Sequence, residues 1–247
     1  MAAAIVAKPE TRSRIIPAVL ITSCFAVCAR LLRGVSIRGA AAGFLVTTVL
    51  FIAAGPAMFG TVLLVFVLTL GATRFGRRKK LSLAIAEKSY GRDAAQVLAN
   101  VGVAATAAAL AQLAPWRMAL VAGSIAALAE AVCDTVSSET GKALSGTARM
   151  ITTWRRVPAG SDGAVSLAGT LLGVLAAALV TLEAVGTRLL NPRAATIAGI
   201  AGILGMIVDS LLGATLERRG LLTNNTVNLA ATAFSATLAA AAIWQFA

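Results

Sequence analysis

Long apolar runs separated by short polar blocks organise the chain from end to end. The runs cover residues 15–29, 39–54, 57–72, 94–113, 118–132, 164–185, 195–216 and 227–244. Because a helix needs about 20 apolar residues to cross hydrocarbon, the pattern predicts an all-α, polytopic transmembrane helical bundle of about eight spans, with six to eight as the range. The second and third runs are short and meet at "AGPA", around Gly55 and Pro56. They read as a hairpin, a re-entrant pair or one broken helix.

Composition supports the same class. Charged residues make up 13% of the chain and mean hydropathy is +0.86, against about 25% charged residues in an average soluble domain. A single integral membrane domain over 1–247 is expected, with no separate soluble unit. The first apolar run follows Lys8, Arg12 and Arg14 and contains "AVCA", features that a signal peptide would share. A first span in a series of spans explains the same features without a secretion signal, and is the reading preferred.

The net charge of +12 is a matter of placement. Sixteen of the 22 basic residues fall on one side of an eight-span arrangement: Arg30, Arg33 and Arg38; the block from Arg74 to Arg92; Lys142, Arg149, Arg155 and Arg156; and Arg218 and Arg219. Basic loops stay cytoplasmic, so that side is expected to face the cytoplasm of a plasma (inner) membrane, with both termini outside. Nucleic acid is not an expected partner, since the basic residues lie in short blocks and aromatic residues are only 5%.

Several chemistries are excluded. The chain has no His, which removes His-based triads and His-ligated metals. Its three cysteines, Cys24, Cys28 and Cys133, lie in apolar runs without zinc-like spacing. Neither a "GxxxxGK[ST]" phosphate loop nor a paired "DxxxD" motif occurs.

The remaining polar residues collect around 73–93, 139–163 and 217–226, loops expected to form one site on one membrane face. In "AEKSYGRDAAQVLAN", Lys88, Arg92 and Gln96 follow one another at spacings of four, and Asp93, Gln96 and Asn100 make an overlapping helical stripe. In "AEAVCDTVSSETGKAL", Glu130, Asp134 and Ser137 share a helical face. Glu139 lies about 140 degrees around from Asp134, so sharing one metal requires the helix to end between them. Buried acids neutralised by nearby bases are the plainer explanation of the same stretch. In "VPAGSDGAVSLAGT", Gly160 and Gly163 bracket Asp162 before a helix, which reads either as a phosphate-binding turn or as an Asp cap. Asp209 and Ser210 lie within a span, with Glu217 near its end. Asn224, Asn225 and Asn228 follow, for which a capped turn is the simpler account. The upstream "RFGRRKK" block reads as a topology signal or a contact with anionic lipid.

Together, "AEKSYGRDAAQVLAN", "CDTVSSETG", "VPAGSDGAVSLAGT", "VDSLLGATLE" and "TNNTVNLAAT" resemble, in order, the motifs of the DUF92 or TMEM19-like family of integral membrane proteins, over about residues 77–232. That family includes phytyl-phosphate kinase of tocopherol synthesis. The resemblance implies CTP-dependent transfer of a phosphoryl group to an isoprenyl monophosphate, phytyl or geranylgeranyl phosphate. It implies Lys88, Arg92, Gln96 and Asn100 from the first motif, Asp134, Ser138 and Glu139 from the second, and Asp162 and Gly163 from the third. Asp209 and Ser210, then Asn224, Asn225 and Asn228, complete the set. Cys133, Thr140 and Val101 depart from the family pattern and bear on substrate choice more than on fold.

Physical chemistry is compatible with that implication. Phosphoryl transfer needs positioning and charge neutralisation, so Mg²⁺ on Asp134, Glu139 or Asp209, with Lys88 and Arg92 on phosphates, would suffice. Asp134, Asp209 and Lys88 are the expected catalytic residues, Mg²⁺ the cofactor and CTP the co-substrate. The expected partners are a prenyl-phosphate lipid, a nucleoside triphosphate and membrane lipid. The alternatives are a transporter or lipid-binding protein, for which Glu130 and Asp209 would line a route, and a lipid cytidylyltransferase or polyprenol kinase.

Overall fold

The computed structural model describes residues 9–86 and 90–245. Eight α-helices are present among them: α1 (Pro9–Leu31), α2 (Ile37–Arg74), α3 (Arg77–Ser82), α4 (Ala94–Leu110), α5 (Arg117–Leu144), α6 (Leu167–Gly186), α7 (Pro192–Thr215) and α8 (Asn224–Gln245). Six are long and apolar enough to cross a membrane, and α4 is a shorter apolar helix. The result is an all-α polytopic bundle.

The "AGPA" ambiguity resolves as a hairpin. Gly55 adopts φ 83° and ψ −171° inside α2, a conformation open to Gly without cost, and Pro56 starts the second arm, where its missing N–H is harmless. Gly39, Gly43 and Val46 of the first arm face Val62, Val65 and Phe66 of the second across one cavity. Arg74, at the far end of the second arm, donates to the Leu32 carbonyl just before the first arm begins. Both ends of α2 therefore lie at the same end of the bundle, and its 38 residues make two crossings.

Helix α5 is the hub. It is the most buried of the six long apolar helices and packs against α2, α4, α6, α7 and α8. Small residues permit this. A Cβ on Gly173 would lie 2.5 Å from the Cys133 carbonyl oxygen, and one on Gly169 would lie 2.4 Å from that of Ser137. Close backbone approach of this kind supplies van der Waals contact where lipid offers no hydrophobic driving force. At the opposite end of the bundle, Trp116 and Trp244 meet edge to face at 6.0 Å, a position that suits a membrane–water interface.

One segment departs from the all-helical expectation for loops. Residues 147–165 form a small antiparallel sheet of β1 (Thr147–Met150), β2 (Arg156–Pro158) and β3 (Ala164–Val165), in the order β2-β1-β3. It joins α5 to α6. A single 3₁₀ turn, Glu217–Arg219, follows α7.

Candidate functional site

Two cavities open towards the end of the bundle that carries the sheet. The first is polar, about 130 Å³, and is lined by Asp134, Ser137, Ser138 and Lys142 of α5, Asp162 and Gly163 of the sheet segment, Asp209 and Ser210 of α7, Glu217, and Asn224 of α8. Four separate motifs of the sequence thus supply one lining. Asp209 lies six residues before Thr215 and Asp134 ten before Leu144, so at 1.5 Å per residue the carboxylates sit about 9 and 15 Å inside their helix ends.

Local chemistry explains the placement of each wall. Gly163 has φ 71°, and a Cβ there would come within 2.4 Å of Ala214. Gly163 N would lie 3.0 Å from a Cβ on Gly213. These two glycines let the Asp162 turn close down on the end of α7. The cap of α6 is Ser166, whose Oγ accepts from Gly169 N at 3.2 Å. Asp162 is therefore not the helix cap, and it lines the cavity instead. Likewise the start of α8 is tied by Thr223, whose N–H donates to Thr226 Oγ1 at 2.7 Å, so a capping role does not account for Asn224 or Asn228.

The second cavity is apolar, about 80 Å³, and lies between α1, both arms of α2, α4 and α5. Val35, Val62, Val65 and Leu128 line it, and Arg92, Gln96 and Asn100 form its polar side. Gln96 is partly committed. Its Oε1 accepts from Asp93 N at 2.9 Å while Asp93 Oδ1 accepts from Gln96 N at 2.9 Å, the reciprocal capping box of a helix start.

Asn228 bridges the two cavities. With its amide oriented to satisfy both ends, Nδ2 donates to Asp209 Oδ2 at 3.1 Å and to the Asn224 carbonyl at 3.1 Å, and Oδ1 accepts from Asn100 Nδ2 at 3.3 Å. Asn100 also donates to the Gln96 carbonyl at 2.7 Å. Asp209, in the polar cavity, is thereby linked through one side chain to Asn100 in the apolar one.

Not every expected site residue joins this arrangement. Helix α5 continues through Glu139 to Leu144, so the condition for Asp134 and Glu139 to share an ion is not met. Glu139 Oε2 instead accepts from Lys80 Nζ at 2.6 Å and Oε1 from Lys142 Nζ at 3.0 Å. Lys80 is fully buried and also donates to the carbonyls of Ala72 and Thr73, while Lys79 Nζ reaches the Ala143 carbonyl at 2.8 Å. The lysines of "RFGRRKK" thus clamp the ends of α2 and α5, a role beyond a topology signal or lipid contact. Asn225 does not line either cavity. Lys88 lies outside the described residues. Ser137, on the helical face of Asp134, and Lys142 and Ser161, within the 139–163 segment, also line the polar cavity.

Glu130 stands apart. It is 1% exposed, and among the described residues neither carboxylate oxygen has a hydrogen-bond partner. It sits one helical turn deeper than Asp134, against the space left by Gly205 of α7.

Asp134, Asp162, Asp209 and Glu217 offer oxygen ligands in one cavity alongside Ser137, Ser138 and Ser210, the donor type that Mg²⁺ prefers. Among the described residues, no group of three or more acids is close enough to enclose an ion unaided. Mg²⁺ is commonly held by one or two carboxylates with substrate phosphates and water, and the residues fit that mode.

A helical bundle with a polar, carboxylate-lined cavity at one end defines a polytopic membrane protein. The chain belongs to the family described as integral membrane protein DUF92, whose model matches residues 20–236. It is 34% identical to an uncharacterised membrane protein of Methanocaldococcus jannaschii over 90% of this chain and 92% of that one. It is also 34% identical to protein VTE6, chloroplastic, of Arabidopsis thaliana over 81% of this chain and 62% of that protein, and 33% identical to protein PGR of Arabidopsis thaliana over 84% and 80%. An uncharacterised membrane protein of Synechocystis is 34% identical over 68% of this chain and 66% of its own length. The chain thus spans about two thirds of the cyanobacterial relative. No solved structure matches it.

Proposed function

We propose that the protein is a CTP-dependent prenyl-phosphate kinase that converts an isoprenyl monophosphate, phytyl or geranylgeranyl phosphate, to the diphosphate at the cytoplasmic membrane face. The observation that carries this is the bridge Asn100–Asn228–Asp209, which joins an apolar cavity with a cationic side to a cavity of carboxylates. An amphiphilic phosphate suits the first. A metal–triphosphate suits the second, because a cavity lined by four acids and one lysine repels a bare triphosphate and accepts one only with divalent cation.

In the transfer, an oxygen of the lipid monophosphate forms a bond to the γ-phosphorus of CTP. The bond from that phosphorus to the bridging oxygen breaks, and CDP leaves with the electron pair. The attacking phosphate oxygen is already ionised near neutrality, so no protein base is needed. Arg92 orients the acceptor phosphate, Asn100 positions Asn228, Lys142 neutralises charge on the donor, and Asp134 and Asp209 would hold Mg²⁺. The bound ion would neutralise developing charge on the transferred group. Asn228 fixes the Asp209 carboxylate, and Ser138, Ser210, Asp162, Gly163 and Asn224 shape the donor side.

Purified protein given phytyl or geranylgeranyl monophosphate, Mg²⁺ and each γ-labelled nucleoside triphosphate in turn tests this. Labelled prenyl diphosphate with CTP is expected. Cytidylylated lipid would point to the cytidylyltransferase alternative. A second role, in transport, draws on one observation, the unpartnered Glu130 carboxyl near the middle of α5. Proton or ion uptake into proteoliposomes, lost in Glu130→Gln, would favour it.

A further inference from the structure

Four arginines from four segments line a single cleft of about 370 Å³ beside the apolar cavity. Arg33 comes from the turn after α1, Arg74 from the end of α2, Arg77 from the start of α3 and Arg92 from the segment before α4. Among the described residues, none of those lining the cleft is acidic.

The convergence is built by the backbone. Val35 and Arg92 form a parallel bridge, with Ser36 N donating to the Arg92 carbonyl at 2.8 Å and Arg92 N to that of Gly34 at 3.1 Å. Gly91 has φ 80°, and a Cβ on it would lie 2.6 Å from backbone atoms of Gly34 and Val35, so only Gly allows the two segments to cross. This crossing sets Arg33 and Arg92 side by side. Arg33 itself takes φ 54°, a left-handed conformation that costs energy for a long side chain. The Arg74 guanidinium is held by the Leu32 carbonyl.

Gathering like charges in one cleft is unfavourable without an anion, and guanidinium groups match phosphate oxygens in geometry as well as charge. The cleft shares Gly34, Phe66, Thr69 and Arg92 with the apolar cavity, so an anion held there sits at the mouth of an apolar chamber. We infer that Arg33, Arg74 and Arg77, with Arg92, bind the phosphate head of a single-chain lipid monophosphate, the near end of whose tail enters the apolar cavity. The choice of a lipid over a nucleotide as the source of the phosphate rests on the function proposed above.

Direct binding, without turnover, tests this. Detergent-solubilised protein is titrated with geranylgeranyl monophosphate, geranylgeraniol and Mg²⁺–CTP in separate arms. Arg33→Gln and Arg77→Gln are each expected to weaken geranylgeranyl monophosphate about tenfold, and the pair about a hundredfold, the scale of lost charge-assisted hydrogen bonds. Geranylgeraniol and Mg²⁺–CTP affinities should hold. The Arg33→Lys/Arg77→Lys variant should recover much of the loss, which separates a charge effect from misfolding. Unchanged monophosphate affinity in Arg33→Gln/Arg77→Gln, or no binding by the unaltered protein, overturns the inference. A matching loss for Mg²⁺–CTP also overturns it and assigns the arginines to the nucleotide. Since no transfer is measured, failure of the kinase role leaves this result standing. Full transfer by Arg33→Gln/Arg77→Gln would remove the lipid site alone.

Discussion

Lys80 and Glu139 meet at 2.6 Å with the lysine side chain fully buried, 59 residues apart in the chain. The pair joins α3 to α5. Breaking such a pair strands a charge, which costs about 3–5 kcal/mol, whereas replacing both partners with apolar groups is often neutral. Glu139→Gln and Lys80→Met are each expected to lower the thermal midpoint in detergent strongly, and Lys80→Met/Glu139→Leu to recover most of it. A metal-ligand role for Glu139 would instead leave stability high and raise the Mg²⁺ requirement.

Asn228 touches a carboxylate in one cavity and an amide in the other. Groups that orient metal-binding carboxylates typically cost about 10–100-fold in metal affinity or activity when replaced. Asn228→Leu should therefore lower kcat and raise the Mg²⁺ concentration for half-maximal rate, with a smaller change in KM for the lipid. An unchanged Mg²⁺ dependence, measured in steady-state transfer, would place Asn228 outside the site.

At Gly163 two constraints coincide, a left-handed φ and a Cβ position 2.4 Å from Ala214. Strain of this kind costs about 1–3 kcal/mol. Gly163→Ala is expected to destabilise the sheet segment and weaken nucleotide binding by moving Asp162 off the end of α7. Calorimetric titration with Mg²⁺–CTP and thermal unfolding check the two effects together.

Glu130 has no hydrogen-bonding partner to lose, and an ionised carboxylate is costly in such surroundings. Glu130→Gln should leave the thermal midpoint unchanged or raised, with transfer retained. Loss of transfer in a stable Glu130→Gln protein would bring this residue into the site.

Much of the fold was legible because apolar runs and Gly–Pro punctuation report directly on helices in lipid. The hairpin at Gly55 and Pro56 is an instance: no other residue pair offers both the left-handed conformation and a ready helix start. The gathering of Asp134, Asp162, Asp209 and Asn224 was legible for a related reason, since Asp162 and Asn224 lie at or before helix starts and Asp134 and Asp209 in the halves of their helices that end on the same side of the bundle. Pairing across long separations was not. Nothing local distinguishes Lys80 from Lys79, and only packing against α5 buries one and caps a helix end with the other. The division of the polar residues into two cavities also depends on helix rotation, which spacing of three and four does not define between helices. Gln96 carried a readable signal, the Asp-x-x-Gln of a capping box, which the phosphate-binding interpretation had overlooked. The strands of 147–165 are short and lie in a basic loop, without the alternating pattern that identifies longer ones.

The most direct measurement is phosphoryl transfer from γ-labelled CTP to geranylgeranyl monophosphate by the unaltered protein and by Asp134→Asn and Asp209→Asn, each first shown to keep its thermal midpoint. Label in geranylgeranyl diphosphate with the unaltered protein, reduced about a hundred- to a thousandfold in both variants as expected when electrostatic stabilisation of the transferred group is removed, is the predicted result. Transfer that persists in both folded variants would contradict the carboxylate site, and no transfer by the unaltered protein with any nucleoside triphosphate would contradict the kinase assignment itself.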